Sequence, residues 1–232
     1  MNIGILGDIH GNHIALESVL RKAKIMNVKK LLITGDLVGY YYNIKEVLDL
    51  LDPWDWVSVR GNHEDMLKEC IRNNNNFTKI EKKYGSSLRR TADHITEKQL
   101  DMLINLPHPK ELDIEGSKIL LCHGSPWDNN QYIYPDSDFD TLERCAIKNY
   151  NIVILGHTHY PMIKLIKSVQ IVNPGSVGQS RDKSFGAKWA LFNTDTKKIS
   201  MHSENYDPTD IINSINRNDP HINYLSKILL RK

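Results

Sequence analysis

Seven side chains able to bind a divalent cation, Asp8, His10, Asp36, Asn62, His123, His157 and His159, sit in short blocks punctuated by glycine, and one more histidine, His63, follows Asn62 directly. Carboxylate, amide and imidazole donors without thiolate suit borderline cations such as manganese, iron or zinc. Seven donors exceed one tetrahedral shell. They match two five- or six-coordinate ions that share a bridging carboxylate and a water, the arrangement used for in-line displacement at phosphorus with ions roughly 4 Å apart. Any one Asp or His after a strand is ordinarily a turn residue; the ordered set of blocks is what favours the metal reading.

The elements that must position these residues follow from hydrophobic periodicity. Apolar runs at Asn2 to Leu6, Leu31 to Thr34, Trp56 to Arg60, Lys118 to Cys122 and Ile152 to Leu155 each end at one of the blocks. Between them, Leu16, Val19, Leu20, Ala23 and Met26 recur at helical spacing, which predicts a helix over 14–26, and a second helix is expected over 44–51 before Pro53. Alternating strands and helices describe βα units, whose ligands gather beyond the carboxyl ends of the strands. Side chains two apart in an extended segment share a face, so Asp8 and His10, and His157 and His159, can each aim at a common centre.

Residues 64–106 read as a mostly helical insert broken by an exposed Asn73 to Asn76 loop. Beyond Pro107 the character turns to β, at 111–114, 118–121 and 152–155, with a helix near 139–149. Four later runs at 162–166, 169–172, 189–193 and 198–202 have the look of a meander of paired strands. A polar tail from about 207, with a weak helical pattern, closes one domain spanning 1–232.

Composition narrows the function classes. Thirty basic residues against 28 acidic ones, a net charge of +2, are too evenly balanced to neutralise the phosphates of a long nucleic acid. Cys70, Cys122 and Cys145 are odd in number and form no C-x-x-C pair, so neither a disulfide framework nor a thiolate zinc site is expected. No signal-peptide pattern or membrane-length apolar run is present, and a cytoplasmic location is the expectation.

The ordered blocks Gly7-Asp8-Ile9-His10-Gly11-Asn12, Gly35-Asp36-Leu37-Val38-Gly39, Gly61-Asn62-His63-Glu64, His123-Gly124-Ser125-Pro126, Gly156-His157-Thr158-His159 and Asn173-Pro174-Gly175-Ser176 resemble those of the calcineurin-like metallophosphoesterases, above all the small prokaryotic phosphodiesterase branch. The resemblance implies an α/β fold, a four-layer α/β/β/α sandwich of two mixed sheets with a dimetal centre at the strand carboxyl ends. It further implies that Asp8, His10 and His159 hold one ion, that Asn62, His123 and His157 hold the other, and that Asp36 bridges them. His63 would serve as acid or charge stabiliser at the leaving oxygen, opposite a hydroxide shared by the ions. Manganese is favoured, with iron, zinc or nickel as alternatives. The implied substrates are small phosphorylated or nucleotide-like molecules cleaved at a diester or anhydride. Serine/threonine phosphatases carry an Asp-Arg pair where this chain reads Gly39-Tyr40-Tyr41-Tyr42, yet Arg60 and Glu64 keep a phosphomonoesterase reading open, and a non-catalytic scaffold is a third.

Asn12, inside the first block, and Arg181, whose guanidinium could fork onto a phosphate, are candidate substrate contacts. Lys79, Lys82, Lys83, Arg89 and Arg90 around Tyr84 read as a solvated helix face before a lid, and the Tyr40 to Tyr42 run as packing before base stacking. His13, His94, His108, His202 and His221 are assigned no role, and Cys122 is expected as a buried thiol.

Overall fold

Two rounds of strand, helix, strand build the first half of the molecule, in a computed structural model that describes residues 1–231. Strands β1 (Asn2–Leu6), β2 (Val28–Ile33) and β3 (Trp56–Ser58) run parallel, linked by helices α1 (His13–Ile25) and α2 (Ile44–Leu51). Helix α1 forms where Leu16, Val19, Leu20 and Ala23 make one buried stripe, and Asn12 caps its start by accepting from the Ala15 N–H. Helix α2 buries Ile44, Val47, Leu48 and Leu51, each worth about 1.5–3 kcal/mol, and stops before Pro53.

The insert comprises four helices, α3 (Asn62–Arg72), α4 (Asn75–Tyr84), α5 (Ser87–His94) and α6 (Glu97–Ile104). The asparagine tract expected as a loop is shorter than that: Asn75 and Asn76 already belong to α4, and the Asn73 Oδ1 accepts from the Asn75 N–H at 3.1 Å. Asparagine favours such helix starts because its side chain satisfies an orphan backbone donor.

Strands β4 (Lys110–Ile114), β5 (Ser117–Leu121), β6 (Ile152–Ile154), β7 (Met162–Ile166) and β8 (Val169–Asn173) form a second sheet, ordered β4-β5-β6-β8-β7, with β5, β6 and β8 parallel. Helix α7 (Phe139–Cys145) crosses between β5 and β6 and ends four residues before the expected Asn149. The remaining strands, β9 (Ala187–Asn193) and β10 (Lys198–Glu204), return to the first sheet, ordered β10-β9-β1-β2-β3. The expected meander is therefore two antiparallel hairpins, β7–β8 and β9–β10, on different sheets. The loop leaving β8 carries the chain across, and β9 completes the first sheet beside β1.

Ile3, Ile5, Leu32 and Phe192 from one sheet meet Ile119, Leu121, Ile154 and Val172 from the other in a buried layer. Leu31, Ile33 and Leu191 face α1, α2 and the insert, while Leu120, Val153 and Ile171 face Leu142 and Cys145 of α7 along with Cys122. The result is the four-layer α/β/β/α sandwich of two mixed five-stranded sheets. The polar region after 207 packs onto the body of the domain. It forms α8 (Thr209–Asn218) and α9 (Asn223–Leu229), whose Ile211, Ile215, Leu225, Ile228 and Leu229 cover Tyr40 and Tyr41. Its apolar residues are few but correctly spaced, so a polar composition hides a packed hairpin. No described helix is long and apolar enough to cross a membrane.

Candidate metal centre

Both sheets present their parallel triplets with carboxyl ends towards one edge, and the metal-competent residues lie just beyond those ends. Asp8 follows β1, Asp36 follows β2, Asn62 and His63 open α3 after β3, His123 follows β5, and His157 and His159 follow β6. Ligand atoms of Asp8, His10 and His159 lie within 4.8 Å of one another, as do those of Asp36, His123 and His157. Asn62 joins the second group, its Oδ1 2.9 Å from His123 Nε2. The Asp36 Oδ2 is 3.4 Å from His123 Nε2 and 3.8 Å from His10 Nε2, which sets it between the groups. All seven are buried, Asn62 at 9% exposure being the most open.

The convergence is not achieved by the pleat. Asp8, His10, Asp36, His157 and His159 all have φ between 51° and 65°, the left-handed region that non-glycine residues rarely enter. Two such residues flanking an ordinary one turn the chain so that both side chains point inward, where an extended strand would have carried them apart along its length. This geometry costs of order 1 kcal/mol or more per residue and persists because the surroundings impose it. Main-chain bonds from His10 N to Asp36 O at 2.9 Å and Gly11 N to Leu37 O at 2.8 Å lock the first two loops together. Gly61 lets the third approach: a Cβ there would collide with the Asp36 carboxylate.

The imidazole tautomers follow from their other nitrogens. His10 Nδ1 meets the Val38 carbonyl at 2.9 Å, His123 Nδ1 that of Thr34 at 2.7 Å, and His159 Nδ1 that of Gln179 at 2.7 Å. A carbonyl only accepts, so each Nδ1 carries a proton and each Nε2 is the nitrogen turned to the centre, with a lone pair free to bind a cation in the neutral ring. The Nε2 atoms of His10 and His159 then face each other at 3.1 Å, and His159 Nε2 lies 3.3 Å from Asp8 Oδ1. Lone pairs so placed repel unless a cation lies among them. Two donors at right angles, each about 2.1 Å from one ion, are about 3 Å apart, so the spacing fits octahedral coordination. The buried His157 Nε2 has no hydrogen-bond partner in the protein, as expected of a ligand atom.

Electrostatics agree with cations in this place. Burial pushes His10 and His157 down, His157 to about 4, which keeps both as neutral donors. For His123 burial acts the same way but is outweighed by the Asp36 carboxylate, which raises it, while His123 and His63 together hold Asp36 well below the carboxylate range against its own desolvation. Without a metal ion, a proton takes the place of positive charge beside Asp36.

His63 lies against both groups. Its ring centroid is 4.8 Å from that of His10 and 4.7 Å from Tyr40, a ring nitrogen falls within 4.8 Å of ligand atoms of His10 and Asp36, and Nδ1 has no partner. Gly39, at φ 91°, makes room: a Cβ would overlap the His63 ring at Nδ1. Burial lowers the His63 pKa, with Asp36 opposing; an anion bound beside it acts in the same sense as Asp36.

The other two proposed contacts diverge. Asn12 is fully buried and serves the structure: it caps α1, and its Nδ2 donates to Gly178 O at 2.9 Å and Tyr206 Oη at 3.3 Å, so both of its N–H groups are engaged within the protein. Arg181 reaches the site's mouth, donating to Tyr40 Oη at 3.1 Å, with Tyr224 Oη of α9 at 3.5 Å. Arg60 points away, donating to Asp65 at 2.5 Å and the Leu106 carbonyl at 2.7 Å, which fastens the insert. In the insert Arg89 pairs with Glu81, and Arg90 donates to Asn218 at 2.8 Å, while Tyr84 reaches the site with its ring 5.5 Å from His63.

Several functional positions escape sequence reasoning. Glu64, read from the sequence only as a residue that keeps a phosphomonoesterase open, is wholly buried and accepts from the backbone N–H groups of Gly61 at 2.8 Å, Asp36 at 2.9 Å and Val38 at 3.2 Å. A Glu three residues past the N-cap is the acidic half of a capping box, and that spacing could have flagged the first of these bonds. Burial first, then Asp36, raises its pKa to about 7. His108, assigned no role, accepts from the His123 N–H at 3.0 Å. The end of β8 and the loop after it hold their neighbours in place: Asn173 Nδ2 donates to the Gly156 carbonyl at 2.7 Å, and Ser176 Oγ to that of Asp8 at 2.7 Å.

The chain is similar to known proteins in sequence and in fold. The chain is 31% identical over 229 residues to an uncharacterized protein of Methanocaldococcus jannaschii, with 88% of each covered. Among solved structures, a hypothetical protein of Pyrococcus horikoshii OT3 superposes with a TM-score of 0.86 at 22% identity, over 98% of this chain and 97% of that one. A metallophosphoesterase of Sphaerobacter thermophilus gives 0.79 at 25% identity, over 100% and 98%. The family model described as the calcineurin-like phosphoesterase superfamily domain matches residues 1–197, and so takes in both parallel triplets and every residue of the metal centre. With its fold and its buried Asp/His cluster in agreement, the chain belongs to that superfamily and is built as a metal-dependent phosphoesterase.

Proposed function

We propose that the protein hydrolyses phosphodiester or phosphoanhydride bonds of small nucleotide-like substrates, using two divalent ions, manganese first, with iron, zinc or nickel as alternatives. Asp8, His10 and His159 would hold one ion, Asn62, His123 and His157 the other, with Asp36 shared. Ions held there supply Lewis-acid stabilisation of phosphoryl charge and a nucleophile at neutral pH. His63 would give a proton or charge to the leaving oxygen, a role supported by its burial, its unpartnered Nδ1 and its ring lying against Tyr40 and His10.

The observation that carries the substrate class is the wall of the mouth. Tyr40, Tyr84, Tyr132 and Tyr224 surround the donor groups, with Tyr132 4.0 Å from the His157 ring and Tyr84 5.5 Å from that of His63. Aromatic walls suit a phosphorus that carries a ring-bearing ester, which a diester or a nucleotide anhydride supplies on both sides.

Arg181 favours a second reading, a phosphomonoesterase. Its guanidinium stands beside Tyr40, the position where protein phosphatases carry their own arginine nearby in sequence, and it could hold the extra charge of a terminal phosphate. The two readings part on kcat/KM with manganese supplied, each rate divided by that of the uncatalysed reaction. The diesterase reading expects bis-nitrophenyl phosphate or a dinucleoside polyphosphate to exceed nitrophenyl phosphate and a phosphoserine peptide. A preference for the phosphopeptide that disappears in Arg181→Met moves the protein to the second reading.

A further inference from the structure

The segment between β5 and α7 carries two tyrosines that the fold does not use for packing. Ile133 between them points inward, 1% exposed, into the cluster beneath α7, while Tyr132 and Tyr134 stand outward at 48% and 38% exposure. The segment is fastened without their rings: Tyr134 N donates to Ser137 Oγ at 2.9 Å, and Ser137 N returns a bond to the Tyr134 carbonyl at 3.0 Å. Two large aromatic side chains are thus held in place, each more than a third exposed.

Their arrangement leads away from the metal centre. Tyr132 lies 4.0 Å from the His157 ring, tilted 34°, and Tyr134 follows at 5.7 Å with an interplanar angle of only 7°. Beyond Tyr134 opens a cavity of about 490 Å³ lined by Tyr134, Pro135, Asp136 and Tyr160, with the Tyr160 ring 5.9 Å from Tyr134 at 64°. Asp136 is the one charged group in that lining and no cation is among the four residues, so the cavity does not suit a phosphate. It suits a flat neutral ring that can stack on Tyr134 and offer N–H groups to a carboxylate.

Resting on the phosphoesterase reading above, we propose that Tyr134, backed by Tyr132, is the stacking platform for the base of a purine nucleotide whose phosphate lies at the metal centre, with Asp136 accepting from N–H groups on the base edge. Guanine, with adjacent ring and amino N–H donors, satisfies both carboxylate oxygens. Stacking on a rigid tyrosine is sequence-tolerant and strong enough to set affinity, and the carboxylate adds selectivity.

The test is equilibrium binding of GMP to the full-length, manganese-loaded protein by calorimetry, with inorganic phosphate titrated in parallel. Tyr134→Leu is expected to weaken GMP about 10-fold while inorganic phosphate keeps its affinity, and Tyr134→Phe, which retains the ring, should bind GMP as the parent does. Asp136→Ala should weaken GMP about 5-fold, the scale of a lost hydrogen bond. Unchanged GMP affinity in Tyr134→Leu, or GMP binding no tighter than inorganic phosphate in the parent protein, overturns the platform. Because the readout is binding, a failure of the hydrolysis reading shows separately, as absent turnover of diester and anhydride substrates.

Discussion

Glu64 offers a sharp test of how the centre is held. Its carboxylate, with 0% exposure, is the sole side-chain acceptor for the backbone N–H groups of Gly61, Asp36 and Val38, so it ties the loop after β2 to the start of α3. Glu64→Ala leaves three buried donors without a partner. At about 1–1.5 kcal/mol each after partial relaxation or entry of water, the loss is about 4 kcal/mol, a large share of a typical domain's stability. Glu64→Gln is milder. Oε2 accepts from Gly61 and Asp36 while Oε1 accepts from Val38, so the amide oxygen can keep the first two bonds and its NH₂ then faces the Val38 N–H, a loss of about 2 kcal/mol. Urea unfolding in excess chelator measures both, without metal binding to confuse the comparison. With metals present, the same variants should bind manganese about 10-fold more weakly, because Asp36 is no longer fixed. An alanine variant within about 1 kcal/mol of the parent, with unaltered metal affinity, would refute the reasoning and show that the loops are held by their left-handed turns and main-chain bonds without Glu64.

Chelation should abolish hydrolysis of a chromogenic diester and added manganese restore it; full activity after metal analysis has shown removal would end the dimetal mechanism. Asp36→Asn should lose metal content that Asn12→Ala retains, since Asp36 stands between both donor groups whereas Asn12 caps α1 and should cost about 1 kcal/mol of stability, read by thermal unfolding. His63→Ala should keep its metals and lose on the order of 100-fold in rate, with a smaller loss for nitrophenolate leaving groups; loss of metal together with rate would make His63 a ligand. Arg181→Met should lower kcat/KM more for a monoester than for a diester, and equal losses on both would remove Arg181 from phosphate binding.

Much of the architecture was legible because each parallel strand is a short apolar run closed by glycine and a polar residue, and hydrophobic period alone separates Asn2–Leu6 from the helix that follows it. What the sequence hid is long-range. Nothing local in Val169–Asn173 or Ala187–Asn193 states that the first strand pairs with β6 and the second with β1, because sheet membership is decided by partners more than 15 residues away. The last two helices showed in the sequence only as a weak helical pattern: Ile211, Ile215, Leu225, Ile228 and Leu229 are few among polar neighbours, and their value appears only once Tyr40 and Tyr41 supply the opposing surface.

The metal centre shows the same division at finer scale. Donor identity is local, so Asp8, Asp36 and the histidines could be named from blocks of a few residues. The conformation that aims them is not local. An aspartate or histidine at φ near 55° is unfavourable in isolation, and it exists here because loops from five strands press on one another: Asp8 accepts from His157 N at 3.2 Å, Asp36 Oδ1 from His63 N at 2.9 Å, and Ser176 Oγ donates to the Asp8 carbonyl at 2.7 Å. Each ligand loop is thus held by a residue from another loop. Since imidazole lone pairs 3.1 Å apart repel, the fold also works against itself at the centre until cations arrive. Strain in the backbone and repulsion among the donors are two costs of one design, in which the protein sets its ligands before the metal binds.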